Sequence, residues 1–393
     1  MRTLRSIFAV TMLGMASLPS RVGTSSVIVI GMAGVVGVLV SIFAMSNAFN
    51  GTMLNTGHAD RAIVMRAGTN NEYSSALSIA DAQTIMDAPG IATTADGGRA
   101  AAAELFMAVN MQRKDDDSRT GVVIRGIPAA GFAIRPEVQL VEGRMFRPGL
   151  KELIVGRSAQ IEFAGLEIGD EVRLRDGPWT VVGAFVSGGT ANEAIIFADV
   201  DTLLSAYQRN VYNAVRVQLD SPDSYERFRD ALTTDPTLSV NVLRENDYYR
   251  EVTDDLETLF AVITYVVGGV MATGAFFAAL NAMYSAVSTR TMEIATLRAI
   301  GFGGGSVVFS VLAESLLLAL LGALVGAGAA AALFNGNSIS IGGGIGSIAA
   351  EMRITPVVLG GGIVWACAVG LLGGLFPALR AARLPVATAL RAV

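Results

Sequence analysis

The apolar positions of this chain are gathered into long runs rather than spread along it. No charged residue lies between Val22 and Gly57, between Thr258 and Thr289, or between Ile354 and Leu379, and the stretch 306–333 carries only Glu314. A helix needs about 20 apolar residues to cross a hydrocarbon core. The runs therefore predict four transmembrane helices, at 22–46, 258–287, 304–334 and 355–379.

The block 47–257 has a different rhythm. "DRAIVMRAG" (60–68) alternates as a strand does, "LSIADAQTIMDAPGI" (77–91) has the polar start and Pro-Gly end of a short helix, and "AAAELFMAVNMQ" (101–112) reads as the next strand. The order repeats in "NAVRVQLD" (213–220), "SPDSYERFRDALTTDP" (221–236) and "TLSVNVL" (237–243). Two βαβ halves so far apart predict an α+β domain with a split ferredoxin-like sheet, at 58–120 and 211–245, interrupted by a β-rich insertion at 121–210. Inside the insertion, "IGDEVRLRDGPWTVVGAF" (168–185) predicts a hairpin turning at Asp176-Gly177. "RENDYYREVTDDLETLF" (244–260) is helical and runs into the second span.

Charge placement orients the spans. Residues 46–257 hold 20 Lys+Arg against 31 Asp+Glu. The segment 1–21 has Arg2, Arg5 and Arg21 with no acid, the tail 380–393 has Arg380, Arg383 and Arg391 with no acid, and 288–303 has Arg290 and Arg298 against Glu293. Positive charge in short flanking segments marks the cytoplasmic side. The rule predicts cytoplasmic termini, an extracytoplasmic 47–257, a cytoplasmic 288–303 and an extracytoplasmic loop at 335–354. Segment 1–21 reads as an interfacial amphipathic helix rather than a cleaved signal peptide, because the apolar run after Arg21 is too long for a signal core.

Most catalytic chemistry has no residues to rest on. The two lysines, Lys114 and Lys151, do not follow glycine, so the sequence has no Walker A loop. His58 is the sole histidine and Cys367, in the fourth span, the sole cysteine, which leaves no disulfide and no His-based metal site or hydrolytic triad. His58 reads as a surface residue near the membrane. "RKDDDSR" (113–119) lacks the spacing of a calcium loop and reads as a solvated tip, and the glycine-rich "NGNSISIGGGIGSIAA" (335–350) as a flexible loop between spans.

Three features remain. "STRTMEIATLRAIGF" (288–302) is a short charged helix between two apolar runs, with Ile294, Leu297 and Gly301 at helical spacing. Glu314 is a costly intramembrane carboxylate. It could hydrogen-bond across helices, snorkel to the interface or relay protons, and the lack of a second ionisable group in the spans favours the first two. Gly322 and Gly326 in the third span, and Gly370 and Gly374 in the fourth, lie four apart and permit close helix approach, within the chain or in a dimer.

One span, a large outer domain, then three spans with a charged helix between the first two of them, resembles the MacB/FtsX family of ABC transporter permeases. "TRTMEIATLRAIGFGGGSVV", "AESLLLALLGALVG" (313–326) and "GLLGGLFPALRAARLPVATALR" (370–391) are similar to the family's C-terminal membrane region. "VEGRMF" (141–146), "ELIVG" (152–156) and "IGDEV...WTVVGAF" are similar to its periplasmic core domain. The resemblance implies that the split sheet is the family's porter and the insertion its sabre. It implies a dimer with a second permease, a separate cytoplasmic ATPase that binds ATP and Mg, and no cofactor on this chain. A periplasmic membrane fusion protein and a bacterial inner-membrane location also follow from it. The implied activity is mechanotransmission: ATP hydrolysis moves the outer domain to export or extract a substrate, or, in the FtsX-like alternative, to activate a cell-wall hydrolase. On this resemblance 288–303 is the coupling helix, with Arg290, Glu293, Ile294, Leu297, Arg298 and Gly301 as the ATPase-coupling residues.

Overall fold

The computed structural model describes residues 8, 10–12, 22–115, 118–336, 338–343 and 346–383. Most of the interfacial segment 1–21, part of the 113–119 tip and the family-like end 384–393 lie outside the described residues. The chain divides into a helical unit, 1–47, 257–337 and 352–393, and an α/β domain, 48–256 and 338–351.

In chain order, helix α1 spans Val22–Leu54 and is followed by strands β1 (Arg61–Arg66) and β2 (Leu77–Ser78), helix α2 (Ile79–Met86), and strands β3 (Ala101–Gln112) and β4 (Arg119–Ile127). Next come β5 (Gln139–Gly143), β6 (Glu152–Gly156), α3 (Arg157–Glu162), β7 (Glu171–Leu174), β8 (Gly177–Val186), β9 (Ile196–Asp199) and α4 (Val200–Ala206). The domain closes with β10 (Val211–Tyr212), β11 (Ala214–Gln218), α5 (Tyr225–Thr233) and β12 (Val240–Arg244). Then follow α6 (Glu245–Thr289), α7 (Thr291–Ala299), α8 (Gly304–Phe334), strands β13 (Ser338–Gly343) and β14 (Gly346–Glu351), and α9 (Pro356–Arg383). Four of these helices, α1, α6, α8 and α9, are long and apolar enough to cross a membrane.

The α/β domain is built on a ten-stranded sheet. Its first four strands run β12-β1-β11-β3, all antiparallel, with α2 joining β1 to β3 and α5 joining β11 to β12. This is the split ferredoxin-like arrangement expected from the sequence. Local chemistry explains its helices. Ser78 and Asp81 form a reciprocal capping box at the start of α2. α5 buries Tyr225, Phe228 and Leu232, which lie on one helical face. The sheet continues through β4, β9, β6, β8 and β5, a mixed set in which β4 runs parallel to β9 and β6 parallel to β8. These strands close over a separate core that includes Trp179, Phe163 and Leu203.

The link between the two parts is β3. Its first residues pair with β11 as far as Glu104↔Ala214, and from Leu105↔Gly126 onward it pairs with β4. At the switch, the Asn213 side chain accepts from the Phe106 backbone N–H at 2.7 Å and donates to the Ser75 carbonyl at 2.9 Å. A strand that changes neighbours leaves backbone groups without ladder partners, and Asn213 supplies one.

Two loops differ from expectation. The hairpin between β7 and β8 forms, but Gly177 already pairs with Leu174, so its turn is Arg175-Asp176, one residue earlier. Asp176 is held there by Trp179 Nε1 at 2.8 Å and Lys151 at 2.9 Å. The stretch 335–350 is not simply a loop: β13 and β14 pair antiparallel from Ser338↔Glu351 to Gly343↔Gly346. The period-two run Ser338, Ile339, Ser340, Ile341 is a strand signal that the glycine count had masked. This hairpin belongs to the α/β domain, where it lies against β4 and the 191–194 turn.

One face of the first four strands is apolar and covered by α2 and α5. The other carries charge. Arg61 on β1, Glu104 on β3, Arg125 on β4 and Arg216 on β11 are all buried, together with Glu72, Arg135 and Glu245, and half-buried Glu137 completes the group. Four arginines thus meet four glutamates. Arg125 grips Glu72 with both terminal nitrogens, at 2.8 and 2.9 Å, and reaches Glu104 at 2.7 Å. Arg135 bonds the other oxygen of Glu104. Arg216 bonds Glu72 at 2.8 Å and also Glu245. Arg61 grips Glu137 at 2.7 and 2.8 Å.

Burial by itself would raise the pKa of Glu104, but Arg135, Arg216 and Arg125 outweigh it and hold the carboxyl at about 2 against an ordinary 4.5. Burial likewise opposes ionisation of Glu72, and Arg125 and Arg216 hold its pKa below the ordinary value. A depressed carboxylate pKa stabilises the fold fully above the unfolded value and loses that contribution as pH falls through the folded one. Acid titration is therefore expected to weaken the domain progressively between pH 4.5 and about 2. The emission of buried Trp179, read in a Trp365→Phe background, follows this. Glu104→Gln should lower stability at neutral pH by about 3–5 kcal/mol and flatten the dependence in that window. An unchanged acid profile would contradict the assignment.

Candidate functional site

The short charged helix of the sequence is α7, preceded by Arg290 and set between α6 and α8 in the helical unit. Its end is made by glycine. Gly301 has φ 107°, its N–H bonds the Arg298 carbonyl at 3.1 Å, and the Phe302 N–H bonds the Leu297 carbonyl at 3.1 Å. These two bonds form a Schellman motif, which needs a residue tolerant of positive φ. Gly301 thus ends the helix, and it is exposed there.

The other expected residues separate by face. Ile294 and Ala295 are buried and join the core of the helical unit. Leu297 and Arg298 are partly buried, and Met292, Glu293, Thr296 and Ile300 are exposed. Arg290 points inward. Its guanidinium reaches Glu293 at 3.2 Å and Glu314, on α8, at 3.1 Å. Glu314 is only 5% exposed in its side chain, so the intramembrane carboxylate is met by a cation from the neighbouring short helix. Of the three readings open from the sequence, the geometry gives Glu314 a helix-to-helix contact. The sequence gives no sign of this pairing, because Arg290 stands outside the spans, 24 residues before Glu314.

Beside α7 lies a cavity of about 580 Å³, lined by apolar residues that include Val10, Ile294 and Val311 and by the polar residues Arg290, Glu293, Thr296 and Ser310. The wall at Val10 belongs to the N-terminal segment, whose Val10 carbonyl accepts from Ser310 Oγ at 3.2 Å.

All four glycines singled out for packing meet helices of the same chain. A Cβ at Gly326 would lie 2.2 Å from the Ala33 carbonyl oxygen, and one at Gly322 would lie 2.6 Å from Met32 Cβ, so α8 lies directly on α1. A Cβ at Gly370 would lie 2.5 Å from Ala319 Cβ and one at Gly374 2.7 Å from Ser315 Cβ, so α9 lies on α8. Ser315 Oγ donates to the Gly370 carbonyl at 2.6 Å across that contact.

With this geometry in hand, comparison with known proteins is informative. Residues 22–235 match the family described as MacB-like periplasmic core domain, and residues 265–386 match the FtsX-like permease C-terminal family. The chain belongs to the MacB/FtsX family of ABC transporter permeases. Among relatives, it is 28% identical over 235 residues to the macrolide export ATP-binding/permease protein MacB of Rhodopirellula baltica, covering 55% of this chain and 33% of that protein. It is 28% identical over 148 residues to an uncharacterized ABC transporter permease, YknZ, of Bacillus subtilis, covering 36% of this chain and 35% of that one. The chain therefore spans about a third of the length of the relatives it matches. The crystal structure of the periplasmic region of MacB from Actinobacillus actinomycetemcomitans aligns with 51% of this chain and 95% of its own, at 11% identity and a TM-score of 0.38.

In this MacB/FtsX-family permease, α7 is the helix for which the sequence expected an ATPase-coupling role, and the Arg290–Glu314 pair fixes its first turn. Sequence reasoning missed the charge cluster of the α/β domain altogether. A signal existed: Arg61, Glu104, Arg125 and Arg216 each sit within otherwise apolar strand sequence.

Two outcomes are expected in thermal unfolding of the detergent-solubilised chain. Glu314→Ala costs about 3 kcal/mol by leaving Arg290 without its buried partner, and the double variant with Arg290→Ala costs less than the two singles added. Gly326→Ala costs roughly 1–3 kcal/mol, because backbone on α1 cannot yield to a new methyl group. Gly328→Ala, where a Cβ meets open space, is neutral.

Proposed function

We propose that this permease is the membrane component of an ABC transporter that works by mechanotransmission. An ABC ATPase on the cytoplasmic side binds ATP and Mg and docks on α7. The movement it imposes on the helical unit displaces the α/β domain, which acts outside the cytoplasmic membrane on an exported or extracted substrate. The observation that carries this reading is α7 itself: a short helix clamped at Arg290 by buried Glu314, with Met292, Glu293, Thr296 and Ile300 facing outward. A helix held rigidly on one side and open on the other is suited to receive force from a partner. The excess of arginine in 1–21, 288–303 and 380–393 supports placing α7 and both termini in the cytoplasm.

Family membership supports the ATPase, and the export named for the MacB relative of Rhodopirellula baltica supports transport over signalling. A second permease subunit and a membrane fusion protein complete the proposed assembly.

The test uses the full chain with the ABC ATPase that co-purifies with it, reconstituted in nanodiscs. Glu293→Lys with Ile300→Asp alters two exposed side chains; it gives up the exposed Glu293–Arg290 pair, worth about 1 kcal/mol or less, and should leave the melting temperature near that of the parent. It should weaken ATPase binding about tenfold or more and abolish stimulation of hydrolysis. Unchanged binding and hydrolysis in a folded variant would overturn the docking role of α7.

A further inference from the structure

The charge cluster of the α/β domain has one member from a helix that continues beyond the domain. Glu245 is the first residue of α6, whose opening turns belong to the α/β domain and whose remainder belongs to the helical unit. Its carboxylate bonds Arg216 on β11, lies 3.7 Å from Arg61 on β1, and accepts the His58 backbone N–H at 3.3 Å. Two turns of α6 then lay Tyr248 and Tyr249 on the same sheet face, against Ile63, Met65 and Ala214.

We propose that Glu245 is the positioning residue through which displacement of α6 is delivered to the sheet, with the balanced charge cluster as its latch. The argument is one of electrostatics and placement. Seven buried ionisable groups and a half-buried eighth are a poor device for stability alone, since apolar side chains of similar volume often do as well or better. The cluster is also incompletely satisfied, because the Nε–H groups of Arg61, Arg125 and Arg216 are buried without an acceptor. What it does supply is a contact with a steep penalty for partial separation. Withdrawing Glu245 strips Arg216 of a partner in a medium of low dielectric, so strands and helix move together or part abruptly. The membership of the cluster fits this: Arg216 and Arg61 belong to the ferredoxin-like strands, while Arg125 is on β4, the first strand of the added part. A shift at Glu245 is therefore felt on both sides of the β3 partner switch.

The inference rests on the mechanotransmission reading for its purpose, but its test does not, because the chain is measured alone. Hydrogen exchange is followed by mass spectrometry on the full chain in nanodiscs, with no ATPase present. In Glu245→Gln, amides in the first two turns of α6 should exchange at least about tenfold faster, while β1 and β11 keep their protection. Glu137→Gln breaks the bidentate pair with Arg61 and removes one charge from the same cluster without touching α6. It should leave the opening turns of α6 as protected as in the parent. The proposal is overturned if Glu245→Gln leaves those turns unchanged, or if Glu137→Gln releases them equally. Global loss of protection in Glu245→Gln alone, with Glu245→Asp failing to restore it, also overturns it, since the residue would then serve folding only. A failed ATPase-docking experiment would leave each of these outcomes as it stands.

Discussion

A charge removed from water must take its partner with it, and this constraint shapes both units of the permease. In the helical unit Arg290 and Glu314 meet it as a pair, and the result is a short helix fixed at its first turn. In the α/β domain it is met collectively, by four arginines and four glutamates shared among β1, β3, β4, β11, the start of α6 and the loops between them. Around these ionic contacts the apolar cores close on their own terms. The ionic contacts decide which elements cannot slide past one another, because sliding would strand a charge.

Close approach between the apolar helices has a different origin. Lipid offers no hydrophobic reward for helix association, so packing depends on small residues that admit a neighbour's backbone. Gly322 and Gly326 admit α1, and Gly370 and Gly374 are met by α8. These contacts are within one chain, which assigns the glycines to the bundle's own assembly.

The architecture was readable because its signals are local and periodic. Apolar runs of spanning length marked four helices, and alternation with turn chemistry marked the two βαβ halves that the sheet brings together as β12-β1-β11-β3. Contacts between distant residues were not readable. Arg216 and Glu245 lie in different elements, and Arg290 and Glu314 are separated by the whole of α7 and the start of α8, so no periodicity joins them. The residues of 288–302 were found by their contrast with their surroundings, but that contrast could not show that Ile294 faces the core and Gly301 ends the helix. The β13–β14 hairpin was obscured for the opposite reason, since abundant glycine hid a short alternating run.

The change of partner along β3 bears on how such a domain can diversify. Only Ala101–Glu104 of that strand are committed to the four-stranded ferredoxin-like core, whose remaining strands are β1, β11 and β12. From Leu105 to Tyr212 no residue pairs with β1, β11 or β12, and apart from Arg125, Arg135 and Glu137 of the charge cluster this stretch can change length, strand count or surface without shifting the register of a single pair in that core. The domain is in this sense a fixed frame with an interchangeable attachment. One part can keep its register while the other is reshaped.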